Sequence, residues 1–174
     1  QVIFWTDDDC KAHSPPNIQQ LLRLESDGRL RSDMCRLVML DKFGGLYLDN
    51  DIVIIGNVSE ILHPNTFATV HAASIPGVPA GIFQAFLHAP KGHPFLRETL
   101  ARHERWYEDV RRRNPIEIQR VTNFNPEPNV GTVLLHDTLL NNSKKDVVLW
   151  YEQFQTNCFS LTPMCKYYVF DNGQ

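Results

Sequence analysis

Apolar residues recur along this chain at two spacings, one typical of strands and one typical of helices. Alternating or continuous apolar runs rich in β-branched and aromatic residues predict strands at Val2–Trp5, Leu46–Ile55, Phe67–His71 and Ile82–His88. Apolar residues three and four positions apart predict helices at Ile18–Leu24, from Ser32 to Gly44-Gly45, at Val58–Leu62 and from Pro94 to Arg113. The alternation of strands and helices predicts an α/β fold.

The last part of the chain has a weaker pattern. Thr132–Leu135 and Val147–Tyr151 are short, strand-like apolar segments. Asn114–Pro128, which lies between them and the longest helix, is predicted to be a loop near a cleft.

The clearest local signal joins the second predicted helix to the second predicted strand. Ser32 is suited to cap the helix, and the two glycines at 44 and 45 are suited to end it. Side chains alternate along a strand, so Tyr47, Asp49 and Asp51 are predicted to share one face. The two carboxylates would then be rooted about 6–7 Å apart, and both could reach one divalent cation.

The chemistry of this pair follows from its charge. Two unpaired carboxylates repel a diphosphate, so such a substrate could dock only with a metal ion between them. On the preceding helix, Asp33 and Arg36 are three residues apart and face the same side. Arg36 could hold a phosphate or sugar oxygen and Asp33 could accept sugar hydroxyls, or the two could form only an ion pair within the helix.

These residues carry a resemblance to a known family. Asp33, Arg36, Leu40, Gly44-Gly45, Tyr47, Asp49 and Asp51 resemble the motif of the DxD glycosyltransferases that include α-1,6-mannosyltransferases, α-1,4-galactosyltransferases and glucosylating toxins. Phe4-Trp5-Thr6-Asp7 and Ala89–Leu96 are similar to two further segments of that family. The resemblance covers most of residues 2–100.

The resemblance implies a GT-A-like fold, a mixed twisted sheet flanked by helices, and transfer of a hexose with retention of configuration. It implies Mn²⁺ or Mg²⁺ on Asp49 and Asp51, and nucleotide-sugar contacts from Asp33, Arg36, Tyr47 and Asp49, with Asp33, Arg36, Asp49 and Asp51 forming the catalytic set. The implied partners are a UDP- or GDP-hexose and a glycan, glycolipid or glycoprotein acceptor. The implied location is the Golgi lumen or secretory pathway.

The resemblance also marks departures from the family pattern. Gln84 stands where the family often has Asn, and Gly131-Thr132 and His136 stand where a Gly-Pro pair and a Thr are usual. We expect a single GT-A-like domain over residues 1–174, truncated relative to the family by a first strand and a C-terminal segment.

Composition narrows the classes of partner. The 174 residues are 43% hydrophobic with a net charge of -3, enough for a single core and unsuited to a general nucleic-acid binder. No apolar run approaches the ~20 residues of a membrane span, so any membrane attachment is expected through segments outside this sequence.

The cysteines and the acidic run suggest structural roles. The four cysteines show no CxxC spacing; Cys158 and Cys165 could pair in an oxidising compartment, and Cys35 is expected to be a buried apolar residue. Asp7-Asp8-Asp9 is expected to be an acidic loop before a helix N-terminus rather than a second metal site.

Two alternatives remain open. Leu46–Val53 also fits the DxDx[TV] signature of haloacid-dehalogenase-type phosphohydrolases, in which Asp49 would be a nucleophile and Asp51 a general acid/base. The later acidic motif of that family is absent from the sequence. The second alternative is a non-catalytic module that binds a nucleotide sugar or carbohydrate.

Overall fold

The computed structural model describes residues 2–54, 57–60, 62–71, 81–113, 131–141, 146–154 and 167–170. The helices in these ranges are α1 (Asp7–His13), α2 (Pro16–Leu24), α3 (Gly28–Phe43), α4 (Pro94–Arg113) and α5 (Thr132–Asn141), with one 3₁₀ turn at Val58–Glu60. The strands are β1 (Gly45–Leu48), β2 (Phe67–His71), β3 (Ile82–Ala89), β4 (Val147–Phe154) and β5 (Tyr167–Phe170). The predicted α/β class is confirmed.

The strands form one mixed sheet in the order β1-β3-β2-β4-β5. Strand β3 is antiparallel to both of its neighbours, β1 and β2, and β2 is parallel to β4. Strands β1, β2 and β4 therefore run in the same direction, and their carboxyl ends lie at the same end of the sheet. Open α/β sheets commonly place ligands at this end.

One continuous core joins the sheet to its helices. Phe67, Leu87 and Ala89 of the sheet pack in the same cluster as Met34 and Leu37 of α3, and none of the five is exposed to solvent. The predicted apolar stripe of α4 is confirmed where its side chains are described, at Phe95, Leu96, Leu100, His103 and Tyr107. Burial of these stripes fixes α3 and α4 against the sheet.

A buried carboxyl group links three helices. Glu25, which follows α2, accepts hydrogen bonds from the hydroxyl of Tyr107 in α4 and, at 2.7 Å, from the backbone N–H of Asp27. Asp27 in turn caps α3 by accepting from the N–H of Arg29. These contacts show that α3 begins at Gly28, one turn before the predicted start at Ser32.

The prediction of a strand at Val2–Trp5 is wrong. Residues 2–6 have no regular secondary structure, and Val2 and Phe4 are 80% and 89% exposed. A strand needs a partner for its backbone groups, and none of the described strands pairs with this segment. Trp5 instead stacks on Phe43 at a ring-centroid distance of 5.1 Å.

The strand-like prediction for Thr132–Leu135 is also wrong, because this segment begins α5. Its buried residues, Leu134, Leu135, Thr138 and Leu139, have helical spacing, and the shorter window that favoured a strand missed their second turn. The other predicted elements are confirmed with small changes at their ends, except that the region after Leu48 is a turn. The predicted loop at Asn114–Pro128 lies outside the described residues.

The cysteine prediction needs correction as well. Cys35 is joined to Cys10 in a disulfide whose Cα atoms are 5.6 Å apart, so it is not a simple buried thiol. The predicted partners Cys158 and Cys165 lie outside the described residues. The acidic run at 7–9 forms the first turn of α1, where Asp9 completes a capping box with Thr6. Within the described ranges, we find no helix with both the length and the apolarity to cross a membrane.

Candidate functional site

Strand β1 ends at Leu48, and the first acid of the motif follows it directly. The backbone N–H of Asp49 still donates to the carbonyl of Ala85 in β3 at 2.9 Å, and the N–H of Ile52 then donates to the carbonyl of Asp49 at 3.1 Å. Asp49 to Ile52 is therefore a turn. The prediction of a strand to Ile55, with both acids on one face by alternation, is wrong.

The reason lies in the residues themselves. Asp and Asn are disfavoured in strands and favoured in turns, where their short polar side chains bond to local backbone. The prediction that both acids lie at the carboxyl end of a strand is nevertheless confirmed. This position places them at the end of the sheet where the carboxyl ends of β1, β2 and β4 meet.

The guanidinium of Arg36 organises the polar cluster beside this turn. Arg36 is 9% exposed and lies 3.4 Å from a carboxylate oxygen of Asp33 and 3.4 Å from one of Asp49. It also donates to the carbonyl of Gln84 at 2.8 Å, and to the hydroxyl and carbonyl of Ser32 at 2.9 and 3.3 Å. A guanidinium has five N–H donors in a fixed plane; here each of its three nitrogens donates one hydrogen bond, and the two carboxylates add ion pairs.

The sequence left two interpretations of Asp33 and Arg36 open, substrate contacts or an ion pair within the helix, and the structure modifies both. The two residues do form an ion pair, but it is buried and extends to Asp49 on another element. Arg36 is directed at protein groups and not at an open space, so its structural role is to hold the two acids in place. Ser32, predicted only as a helix cap, accepts hydrogen bonds from Arg36.

Tyr47 fixes the orientation of Asp49. Its hydroxyl donates to a carboxylate oxygen of Asp49 at 2.6 Å, and its ring lies under the Arg36 guanidinium at 4.7 Å from the ring centroid. Burial and the bond to Asp49 raise the pKa of Tyr47 to about 12. The phenol therefore remains a donor at neutral pH and shares one oxygen of Asp49 with Arg36.

Asp33 is the acid whose charge is most affected by the fold. Burial, assisted by the nearby charge of Asp49, raises the pKa of Asp33 to about 6, although the positive charge of Arg36 opposes the shift. One carboxylate oxygen of Asp33 lies against Gly131, where a Cβ atom would come within 2.7 Å of it. Gly131 has φ +65° and precedes α5, so the start of α5 packs directly on Asp33.

Other polar residues lie at the same end of the sheet. His71 ends β2 and its ring meets that of His136 in α5 at 5.4 Å, while Gly81 before β3 lies against Thr132. The amide of Gln84 is 3% exposed, and neither of its polar atoms has a hydrogen-bond partner in the part of the chain that the structure describes. An unpaired buried amide is costly, which makes Gln84 a candidate for binding a polar ligand.

The donor set suits a hard cation. Asp51 is exposed in the turn and Asp49 is partly exposed, so two carboxylates face solvent close to each other in sequence. No group of three or more His, Cys, Asp or Glu residues within the described ranges is placed to hold a metal ion. A pair of carboxylates suits Mg²⁺ or Mn²⁺, which commonly complete their shells with water and substrate phosphates.

Sequence reasoning assigned no contact in the site to three residues, although two of them, Gln84 and Gly131, stood out as departures from the family pattern. Ser32 and Gln84 touch Arg36, and Gly131 touches Asp33. The only available signal for Ser32 was its position four residues before Arg36, which places both on one helix face. Contacts of Gln84 and Gly131 depend on the tertiary fold, and no local pattern indicates them.

Comparison with known proteins gives one match. Residues 1–68 match the family model described as the glycosyltransferase sugar-binding region containing DXD motif. The matched region contains Asp33, Arg36, Tyr47, Asp49 and Asp51, and the match supports the family that these residues indicated. The chain matches no curated protein and no solved structure.

Proposed function

We propose, from the match of residues 1–68 to the DXD-containing glycosyltransferase sugar-binding region, that the protein is a metal-dependent hexosyltransferase. The donor would be a UDP- or GDP-hexose, and the acceptor a glycan, glycolipid or glycoprotein. Retention of configuration and a location in the Golgi lumen or secretory pathway are part of the proposal. The family match supports the glycosyltransferase type of activity. The metal and sugar contacts are argued from the site, and retention and location rest on the resemblance of the motif.

One observation carries the proposal. Arg36 joins Asp33 of α3 to Asp49 at the end of β1, and Asp51 lies exposed two residues further on. The buried guanidinium of Arg36 holds Asp33, whose carboxylate can accept hydrogen bonds from a sugar. The neighbouring carboxylates of Asp49 and Asp51 are open to a metal ion. A nucleotide sugar needs both kinds of contact, since it combines a hydroxyl-rich ring with a diphosphate.

In this proposal Asp51 is the direct metal ligand. Asp49 already shares an oxygen with Tyr47 and Arg36, so it would reach the cation through water, or hold the ribose. When bound, the cation would neutralise the charge that develops on the leaving diphosphate. Tyr47 and Arg36 keep Asp49 oriented for this role.

Asp33 and Gln84 would recognise the hexose. An ionised carboxylate accepts hydrogen bonds from sugar hydroxyls, and an amide both accepts and donates. The side-chain amide of Gln84 is buried and has no hydrogen-bond partner among the described residues, whereas the backbone carbonyl of Gln84 accepts from Arg36. A sugar hydroxyl, which also accepts and donates, would satisfy both of its unpaired atoms.

The non-catalytic alternative uses the same residues and differs only in turnover. The phosphohydrolase alternative gains no support from the site. The later acidic motif that this family needs is absent from the sequence. We therefore retain a nucleotide-sugar binding module as the second candidate.

Calorimetry of UDP and GDP with and without Mn²⁺ tests the proposal. We expect binding of one of the two nucleotides that requires Mn²⁺ and is lost in Asp51→Asn. The control is Asp8→Asn, which alters an exposed acid of α1 whose ion pair among the described residues is with Lys11. Nucleotide binding that is unchanged by a chelator or by Asp51→Asn would refute the metal role. Hydrolysis of the matching nucleotide sugar then separates the enzyme from the binding module.

A further inference from the structure

Helix α1 lies along α3 through a series of matched contacts. Asp7 pairs with Arg31 at 3.5 Å, Cys10 forms the disulfide with Cys35, and His13 accepts from the ammonium of Lys42 at 3.0 Å. The three residues of α1 follow one another at steps of three, and their partners follow in the same order along α3. The disulfide is therefore the covalent centre of a helix-to-helix contact.

One side of α3 contacts α1, and the opposite side carries Asp33 and Arg36. At about 100° per residue, Arg31, Cys35 and Lys42 fall within roughly 40° of one another around the axis. Asp33 and Arg36 fall on average roughly 150° away from them. The back of α3 thus faces α1, and the opposite side presents the two residues that hold the candidate site together.

We propose that the Cys10–Cys35 disulfide is a positioning device for the candidate site, which fixes the rotation of α3 and with it the placement of Asp33 and Arg36. The inference rests on the proposed function for what the site binds. Because Asp33 packs on Gly131 and Arg36 bonds to Gln84 and Asp49, a small rotation of α3 disturbs contacts with three other segments. Cys10 and Cys35 act through these residues and touch no substrate.

The bond forms by exchange with an oxidised disulfide donor. The thiols of Cys10 and Cys35 lose two protons and two electrons, the S–S bond forms, and the donor disulfide is reduced to two thiols. The protein is therefore expected to mature in an oxidising compartment. Cys10 is only 2% exposed and Cys35 is partly buried, so the bond lies largely inside the folded protein.

The first experiment identifies the bond. The protein is alkylated under denaturing conditions with and without prior reduction, digested, and analysed by mass spectrometry. We expect a peptide pair that contains Cys10 and Cys35 and that separates on reduction. Free thiols at both positions in protein refolded with oxidised glutathione would overturn the proposal.

The second experiment separates positioning from general stability. Cys10→Ser, Cys35→Ser and the double variant should all lower Tm by roughly 5–10 °C and raise the KM for nucleotide-sugar hydrolysis roughly two- to tenfold at a temperature where each is folded. The double variant should resemble the single ones, since either change breaks the same bond. UDP-glucose, UDP-galactose and GDP-mannose are the probes.

A control variant separates the two roles. Leu22→Ala, in the buried face of α2, should lower Tm by a similar amount and leave KM unchanged. Cysteine variants that lose stability with an unaltered KM would overturn the positioning role. Failure of the proposed function is a different result, in which the disulfide-bonded parent binds neither UDP nor GDP with Mn²⁺.

Discussion

At the scale of single residues, Arg36 determines whether Asp33 and Asp49 stay together. Its planar guanidinium reaches both acids, Ser32 and the carbonyl of Gln84 at once. A lysine ammonium has three donors on a flexible stem and cannot reproduce that plane. Charge alone is therefore insufficient at this position.

We expect Arg36→Lys to reduce nucleotide-sugar hydrolysis at least tenfold, because Asp33 and Asp49 both lose the guanidinium that holds them in place. The matched control is Arg29→Lys on the same helix, which alters an exposed pair with Asp27 and should change unfolding free energy by no more than about 1 kcal/mol. Steady-state kinetics and urea unfolding of both variants provide the test. Equal activity of Arg36→Lys and the parent would reduce Arg36 to a structural ion pair.

The raised pKa of Asp33 predicts that both stability and activity depend on pH. Its pKa rises from 3.8 in the unfolded chain to about 6 in the fold, so between these values the folded state holds a proton that the unfolded state has lost. Stability from this group is complete below pH 3.8 and is lost as pH rises through 6, by about 3 kcal/mol. Hydrolysis that needs the ionised carboxylate should instead rise through pH 6.

Asp33→Asn should remove both effects. The variant keeps the shape of the side chain and has no proton to titrate, so the step in unfolding free energy between pH 4 and 6 should disappear. Hydrolysis should be low at all pH values, because the carboxylate that accepts sugar hydroxyls is lost. A parent-like rate and pH profile in Asp33→Asn would show that Asp33 is structural and does not contact the sugar.

At the scale of elements, the start of α5 is held against α3 by Gly131. Gly131→Ala forces a non-glycine residue to φ +65°, at a cost of about 1–2 kcal/mol, and places its Cβ 2.7 Å from a carboxylate oxygen of Asp33. We expect a lower Tm together with weaker nucleotide-sugar binding. Gly28→Ala, whose Cβ would have ordinary contacts only, is the control, and equal binding by both variants would contradict the role of Gly131.

Elements with a long or simple apolar pattern could be predicted from the sequence. The stripe of α4 and the runs of β2 and β3 carry enough buried residues to fix their type. The failures occur where tertiary contacts decide: Val2–Trp5 finds no paired strand, and the Asp49–Ile52 turn ends β1 early. The disulfide joins residues 25 positions apart, a separation that local patterns do not reveal.

The candidate site shows the same division. Asp33, Arg36, Tyr47 and Asp49 could be predicted because they occupy one helix-to-strand segment, and the structure brings these four together. Their mutual contacts could not be predicted, because the hydroxyl of Tyr47 and the guanidinium of Arg36 meet at one oxygen of Asp49 only after β1 has paired with β3. Gly131 lies about a hundred residues after Asp33 in the sequence and contacts it because the start of α5 packs against α3.

At the scale of the whole molecule, binding should be visible as stabilisation of the fold. The site draws on α3, β1, β3 and the start of α5, so a ligand that binds it holds separate segments of the chain together. A ligand that binds only the folded state adds RT ln(1 + [L]/Kd), about 2.7 kcal/mol at a hundredfold excess over Kd. For a chain of this length each kcal/mol raises Tm by about 2–4 °C.

We therefore expect Mn²⁺ and the matching nucleotide together to raise Tm by about 5–10 °C at that excess, and either one alone to raise it much less, because the diphosphate and the acids repel each other without the cation. Differential scanning fluorimetry of the parent, Asp51→Asn and Asp8→Asn measures this. Asp8→Asn should behave as the parent, and Asp51→Asn should lose the joint effect. A shift with nucleotide alone that equals the shift with both would show that the diphosphate is held by protein groups, and would remove the cation from the site.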